Sequence, residues 1–356
     1  MASNWGSKVQ VSIFGESHGK AIGVTIDNLP SGIKIDMDEL LLNMGRRAPG
    51  KDKSATPRKE ADTPIILSGM LEDVITGAPL CAIIENTNTR SADYSNLMTL
   101  PRPSHSDYPA FLRYDGFNDI RGGGHFSGRL TAPLVFAGSI CRQILKRQGV
   151  QIASHISSIK DIKDDNFNSI DVDIELINRL NKESFPLINK EKEKQMRDVI
   201  EVARLDQDSV GGVIECCAVG FKAGVGSPMF MGVENVISQV MFGVPAVKGI
   251  EFGSGFDITK MYGSQSNDQY YMDGNEVKTK TNHNGGVLGG ISTGMPIVCR
   301  VAIKPTPSIL KEQNTVNLQT RENANLVING RHDPCIVSRA SVVIESAMAV
   351  ALINLI

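Results

Sequence analysis

The stretch GGGHFSGRLTAPLVFAG, residues 122–138, places three consecutive glycines ahead of a histidine, a small-residue turn and the start of an apolar segment. Leu130, Leu134, Val135 and Ile140 recur at helical spacing, so the segment predicts a helix whose first turn follows a permissive backbone. Gly122–Gly124 let a chain approach a ligand closely, and a helix start presents unpaired N–H groups to an anion. Arg129 stands beside that turn. The pattern predicts an anion site built against a helix.

Outward from it, VQVSIFG and AIGVTIDNLP read as two strands with GESHG as the loop between them. DMDELLLNMGRR reads as a helix with Asp36 as N-cap, Glu39 three residues on, and Arg46 and Arg47 in the last turn. PLCAIIEN, GGVIECCAVGF and MPIVCRVAIKP read as strands, and EKEKQMRDVIEVARL and VENVISQVMFG as helices. The Asp-, Asn- and Lys-rich span 160–194 reads as a surface excursion without linker composition. This mixed order predicts an α+β fold in one large domain over residues 1–356.

Composition narrows the class. The 356 residues are 41% hydrophobic and 21% charged, as in ordinary globular proteins, and the formal net charge of -2 gives no global attraction to nucleic acid or anionic membrane. Anion recognition must come from local clusters. The N-terminus carries no signal-peptide pattern, and Glu345 interrupts the apolar C-terminal run ASVVIESAMAVALINLI, which therefore reads as a buried helix. Six cysteines without a CxxC pair read as reduced core residues of a cytoplasmic protein.

Five loops carry candidate chemistry: FGESHGK, GRRAPGKDKSATPRKE, RPSHSDYP, RGGGHFSGR and NGRHDPC. Arg46, Arg47, Arg58, Arg121, Arg129, Arg331 and Arg339 mostly flank Gly or Pro, where a guanidinium can fork onto phosphate or carboxylate. His18, His105, His125 and His332 are general-acid candidates near neutral pH, whereas His155 and His283 read as structural. GESHGKA fails as a nucleotide P-loop because Ala21 follows Lys20, and no metal-ligand spacing is present.

In this order the loops resemble chorismate synthase. The resemblance runs through FGESHG, RRAPG with PRKEAD, TRSADY, RPSHSDY, RGGGHFSGR, AVKGIEFGSGF, GGISTGMPI, KPTPSI and GRHDPC, nearly the whole chain. It implies a β-α-β sandwich and the last step of the shikimate pathway: 5-enolpyruvylshikimate 3-phosphate loses phosphate and a ring hydrogen in a 1,4-anti elimination, with reduced FMN as cofactor. By matching position, His18 is the implied acid for the departing phosphate, His105 the group that protonates or holds the flavin, and Asp333 the residue acting in ring-proton removal. Arg47, Arg129 and Arg339 are the implied substrate ligands, with Arg46 and Arg58 in support. The implied flavin contacts are His125, Phe126, Ser127, Ala246, Gly289, Lys304, Pro305, Thr306, Pro307, Ser308 and Arg331.

Three positions depart from the family pattern. His125 and Phe126 stand where many members have arginine and serine, and Pro245 stands where an asparagine is usual; a nucleotide-contacting basic position is matched by Lys53. The resemblance further implies a homotetramer, with the C-terminal helix or GGVIECCAVGF as candidate interfaces. Some relatives reduce their flavin with NADPH; this chain is expected to use an outside source. The competing readings are a flavin- or nucleotide-binding relative without turnover and an ATP-dependent phosphoryl-transfer enzyme.

Overall fold

The computed structural model describes residues 3–50, 62–87, 97–328 and 332–356. It carries two five-stranded antiparallel sheets. The first contains β1 (Asn4–Trp5), β2 (Gln10–Gly15), β3 (Ala21–Asp27), β4 (Ile65–Ser68) and β5 (Leu80–Glu85), in the order β1-β2-β3-β5-β4. The second contains β6 (Gln151–Ile159), β7 (Ile162–Lys163), β8 (Gly212–Val219), β9 (Val247–Phe252) and β10 (Ile297–Ile303), in the order β9-β10-β8-β6-β7. The strands and loops expected from the sequence thus fall into place, including GESHG between β2 and β3.

The longer α-helices among the described residues are α1 (Met37–Arg47), α2 (Asp107–Arg113), α3 (Thr131–Lys146), α4 (Ile174–Leu180), α5 (Glu193–Leu205), α6 (Val233–Gly243) and α7 (Val337–Ile353). Of these, α1, α3, α6 and α7 pack on one another as the layer between the sheets. Against the first sheet lies α3; α7 packs on α3 and α6 and on strands β6 and β8 of the second sheet. This is the β-α-β sandwich. One continuous apolar core runs from Ile22 and Val24 through Phe136 and Ile140 to Met348 and on to Ile214 and Val301.

Local chemistry explains each central helix. Asp36 caps α1 by accepting a hydrogen bond from Glu39 N at 3.0 Å, and Gln143 of α3 exchanges two hydrogen bonds with the Asp36 backbone. Nearly every residue of α3 and α7 is buried, so both are covered on all sides rather than presenting a solvent face. They approach closely at Gly138, where a Cβ would stand 2.2 Å from Ser346 Cβ, and only glycine fits. No helix among the described residues is long and apolar enough to cross a membrane.

The structure corrects two expectations. Residues 160–194 are not merely a surface excursion: Phe167, Val172, Ile177 and Leu180 form a second small core with Ala153, Cys217 and Val298. The span is also pinned by His155, which lies between Asp164 at 3.0 Å and Glu215 at 2.9 Å. Neither α7 nor GGVIECCAVGF offers an open interface, because both are consumed inside the chain. Exposed apolar residues occur elsewhere, and Met229, Phe230 and Met231 are three consecutive ones.

Candidate functional site

Ser17 N donates to Gly124 O at 3.1 Å, tying the loop after β2 to the glycine segment. Gly122, Gly123 and Gly124 have φ of 60°, 86° and 53°, in the left-handed region that side chains disfavour. A Cβ on Gly122 would come 2.5 Å from His18 Cδ2, so the glycine lets the chain pass directly over His18. His18 is buried behind Gly122, which itself lines the cavity described next.

The cavity has a volume of about 870 Å³. Its walls bring together Arg47 from the end of α1, His105 ahead of α2, Ser127 and Arg129 before α3, and Arg339 of α7. Ala246, Lys304, Thr306, Pro307 and Ser308 also line it, as does Pro245. Asp333 is the one carboxylate lining it among the described residues, against Arg47, Arg129, Arg339, Lys248 and Lys304. Burial and the neighbouring Lys248 lower the Lys304 pKa from its ordinary value. Such a wall suits ligands bearing several phosphate and carboxylate groups.

Carboxylates behind the wall fix the cations. Asp62, with no exposed side-chain area, pairs with Arg47 Nε at 2.8 Å and with Arg129. Arg129 is further held by Asn86 Oδ1 at 3.0 Å, and the same asparagine donates to Glu16 O and Gly19 O of the His18 loop. Arg339 donates to both Asp333 oxygens at 3.1 and 3.0 Å and to Arg47 O at 2.9 Å. The Arg129 position is therefore tied to the loop carrying His18, and Arg339 joins α7 to α1.

Several expected contacts take other roles. Arg46 does not line the cavity: its guanidinium is buried against Glu345 at 2.7 and 2.9 Å, because consecutive residues of a helix face about 100° apart and Arg47 takes the cavity side. His125 lines the cavity but its ring nitrogens bond Gly15 O and Ser3 Oγ, each at 2.8 Å, so it fastens the glycine segment to β2 and the chain before it. Phe126 also lines it and packs on Tyr114 with ring centroids 6.1 Å apart. Gly289, in the hairpin 287–292, and the exposed Pro305 are not among the residues that line this cavity. Arg58, Arg331 and Lys53 lie outside the described residues.

Other functional candidates were not singled out from sequence. Arg102, Arg113 and Lys248 line the cavity, and Asp62, Asn86 and Asp107 brace it. The signal was available for Asp62 and Asp107, which close the segments PRKEAD and RPSHSD, but a search for anion ligands overlooks the acids that hold them. His332, a general-acid candidate, lines the cavity. His155 and His283 are structural, as expected; His283 bonds Ser254 at 2.8 Å. All six cysteines are free thiols and five are buried.

The cavity residues fit a flavin mononucleotide together with an anionic substrate. Its volume is of ligand-pocket size, its charge is overwhelmingly positive, and the buried Thr306 Oγ1 on its wall has no hydrogen-bond partner among the described residues.

Comparison with known proteins agrees with this arrangement. The family model described as chorismate synthase matches residues 9–356. The chorismate synthase of Lancefieldella parvula is 45% identical over 365 residues, covering 99% of this chain and 96% of the relative. That of Pyrococcus abyssi is 42% identical over 347 residues, covering 98% and 95%. A solved structure titled as the crystal structure of chorismate synthase superposes with a TM-score of 0.77 at 25% identity, covering 99% of this chain and 92% of that one. On its sequence from end to end and on the sandwich that gathers these loops around one cationic cavity, the chain belongs to the chorismate synthase family.

Proposed function

We propose that this cavity binds 5-enolpyruvylshikimate 3-phosphate beside reduced FMN and that the chain is a carbon–oxygen lyase, releasing phosphate and a ring proton to give chorismate. The observation that carries the reading is the convergence of Arg47, Arg129, Arg339, Lys248 and Lys304 on one cavity with a single carboxylate on its wall. Substrate and flavin together bring two phosphates and two carboxylates, and clustered guanidiniums match them.

The chemistry that reduced flavin supplies when bound is a transient electron donation with no net redox change. Ser127, Ala246, Lys304 and Thr306–Ser308 are the residues that would hold it, and the Thr306 hydroxyl gains its missing partner. Arg47, Arg129 and Arg339 orient the substrate anions, at positions fixed in advance by Asp62 and Asn86. His18 protonates the departing phosphate oxygen, and Gly122 permits its approach. Asp333, oriented by Arg339, receives the ring hydrogen as a proton.

The same reading makes the protein a cytoplasmic homotetramer supplied with reduced flavin from outside, rather than its own NADPH-dependent reductase. The exposed apolar cluster Met229, Phe230 and Met231 supports association.

The test is an anaerobic assay following chorismate absorbance and phosphate release. Its arms are dithionite-reduced FMN, oxidised FMN, oxidised FMN with NADPH, and magnesium nucleotide. Product with dithionite-reduced FMN alone is expected. Flavin binding without product in any arm would support the non-catalytic relative, and product with NADPH would make the chain its own reductase.

A further inference from the structure

Three side chains around the start of α2 form a closed charge network. Asp107 Oδ2 accepts from Arg102 Nε at 2.7 Å and from Arg102 backbone N at 3.0 Å. Its Oδ1 accepts from Arg102 Nη2 at 2.8 Å and lies 2.6 Å from His105 Nδ1. Arg102 Nη1 reaches Ser308 Oγ at 3.2 Å, joining the network to the 304–308 segment that also lines the cavity. Both Asp107 oxygens are saturated with donors, and both Arg102 and Asp107 are buried.

The short contact decides which ring nitrogen carries the proton. Nδ1 is also 3.0 Å from Arg102 Nη2, which always donates, and 3.3 Å from Ser106 Oγ. If Nδ1 accepted from Arg102, an imidazole lone pair would face a carboxylate oxygen at 2.6 Å, an acceptor against an acceptor. A donor at Nδ1 turns that contact into a charge-assisted hydrogen bond, and Arg102 Nη2 is already satisfied by Oδ1. The Nε2 side faces the glycine segment: a Cβ on Gly123 would lie 3.2 Å from both Cε1 and Nε2. Nε2 makes no hydrogen bond among the described residues.

We infer that Asp107 is a positioning residue that fixes His105 in the tautomer protonated on Nδ1, leaving the Nε2 lone pair as the acceptor presented at the cavity wall. His105 enters the reaction as a neutral group that takes a hydrogen bond from a bound N–H or O–H; any proton it delivers must first arrive at Nε2. The surroundings agree in sign. Burial, Arg102 and Lys304 lower the His105 pKa, and they outweigh the hydrogen bond and charge of Asp107 that raise it. Burial pushes Asp107 the other way, but the bonds from Arg102 and His105 overrule it and hold the carboxyl far below its ordinary range. Arg102 therefore keeps Asp107 ionised while opposing a second proton on the histidine.

The inference rests on the proposed reading of the cavity, but its first test does not. Histidine-selective ¹⁵N labelling of the ligand-free protein, with His105→Gln identifying the signal, reports the tautomer directly at pH 7. A neutral ring protonated on Nδ1 is expected; a ring protonated on Nε2, or an imidazolium, would overturn the assignment. The second test is Asp107→Asn. Its amide nitrogen is driven toward His105, since the Oδ2 position must still accept from a backbone N–H, and it donates to Nδ1 and inverts the tautomer. The variant's ¹⁵N spectrum should show that inversion, kcat should fall about 10²-fold, and KM for the substrate should stay put. An inverted tautomer with unchanged kcat would remove Asp107 from the reaction; an unchanged tautomer would remove it as the orienting group. Inactive wild-type enzyme with the expected tautomer would count against the function alone.

Discussion

Replacing Glu345 by glutamine tests how the helix layer is held. Its carboxylate has no exposed area and collects four donors: Arg46 at 2.7 and 2.9 Å, Arg142 at 2.7 Å and Ser154 Oγ at 2.9 Å. Burial alone would raise its pKa, yet the two guanidiniums hold it below the ordinary value. Glutamine keeps the volume but removes the charge and turns one acceptor into a donor among donors. Two buried arginines then lack their counter-ion, a loss that costs about 3–5 kcal/mol. That is a large part of a typical net stability of about 5–15 kcal/mol. At about 2 °C per kcal/mol for a large chain, the thermal midpoint falls by about 6–10 °C. The assay is a thermal melt at pH 7 beside the triple variant Glu345→Met, Arg46→Met, Arg142→Leu, which removes all three charges together and should recover most of the loss with substrate KM unchanged. A drop below about 2 °C for Glu345→Gln would refute the reasoning. The sign with pH also follows: the Glu345 contribution is present above the unfolded pKa and is lost as acid titrates through the lower folded value.

Four further outcomes are expected. His18→Ala lowers kcat by about 10²–10⁴ with flavin affinity retained, read by steady-state kinetics and flavin titration. Arg129→Ala removes a charge-assisted contact worth about 1.5–3 kcal/mol and raises the substrate dissociation constant, measured by calorimetry; an unaltered constant would exclude it as an anion ligand. Thr306→Val removes a buried hydroxyl that has no partner among the described residues, so the ligand-free protein should melt no lower than wild type while flavin binds more weakly; equal flavin affinity would remove the hydroxyl from the flavin site. Burial disfavours a charged His155, but Asp164 and Glu215 overcome this and raise its pKa. Its contribution is therefore full below the unfolded value and declines as pH rises through the folded one. His155→Gln should flatten that alkaline decline in melting temperature.

Local chemistry was legible where it is local. The Asp36 cap, the recurring β-branched residues of β2 and β3 and the buried reading of the C-terminal helix needed no partner to be recognised. Arg46 and Arg47 show the limit: adjacent in sequence and flanked by the same loop, they point to opposite fates because Glu345, the partner of one, lies 299 residues away. The same holds for Asp164, which reads as part of a polar tract until His155 is folded against it. His125 occupies a position that implies a flavin contact by resemblance, yet its nitrogens are spent on Gly15 and Ser3, which spacing does not reveal. The loops were legible as one site because cations recur in all of them and glycines in all but RPSHSDYP; the acids that set the cations, Asp62 and Asp107, are single letters within those motifs.

The buried α7 sets an order on assembly during synthesis. It is made after every strand and helix it supports, yet it forms the common floor for α3, α6, β6 and β8. Until residues 337–353 emerge from the ribosome, the nascent chain exposes the inner faces of α3 and of the second sheet with nothing of its own to cover them. Completion of the core therefore waits for residues 337–353, and until they arrive those apolar faces are open to misassembly and aggregation.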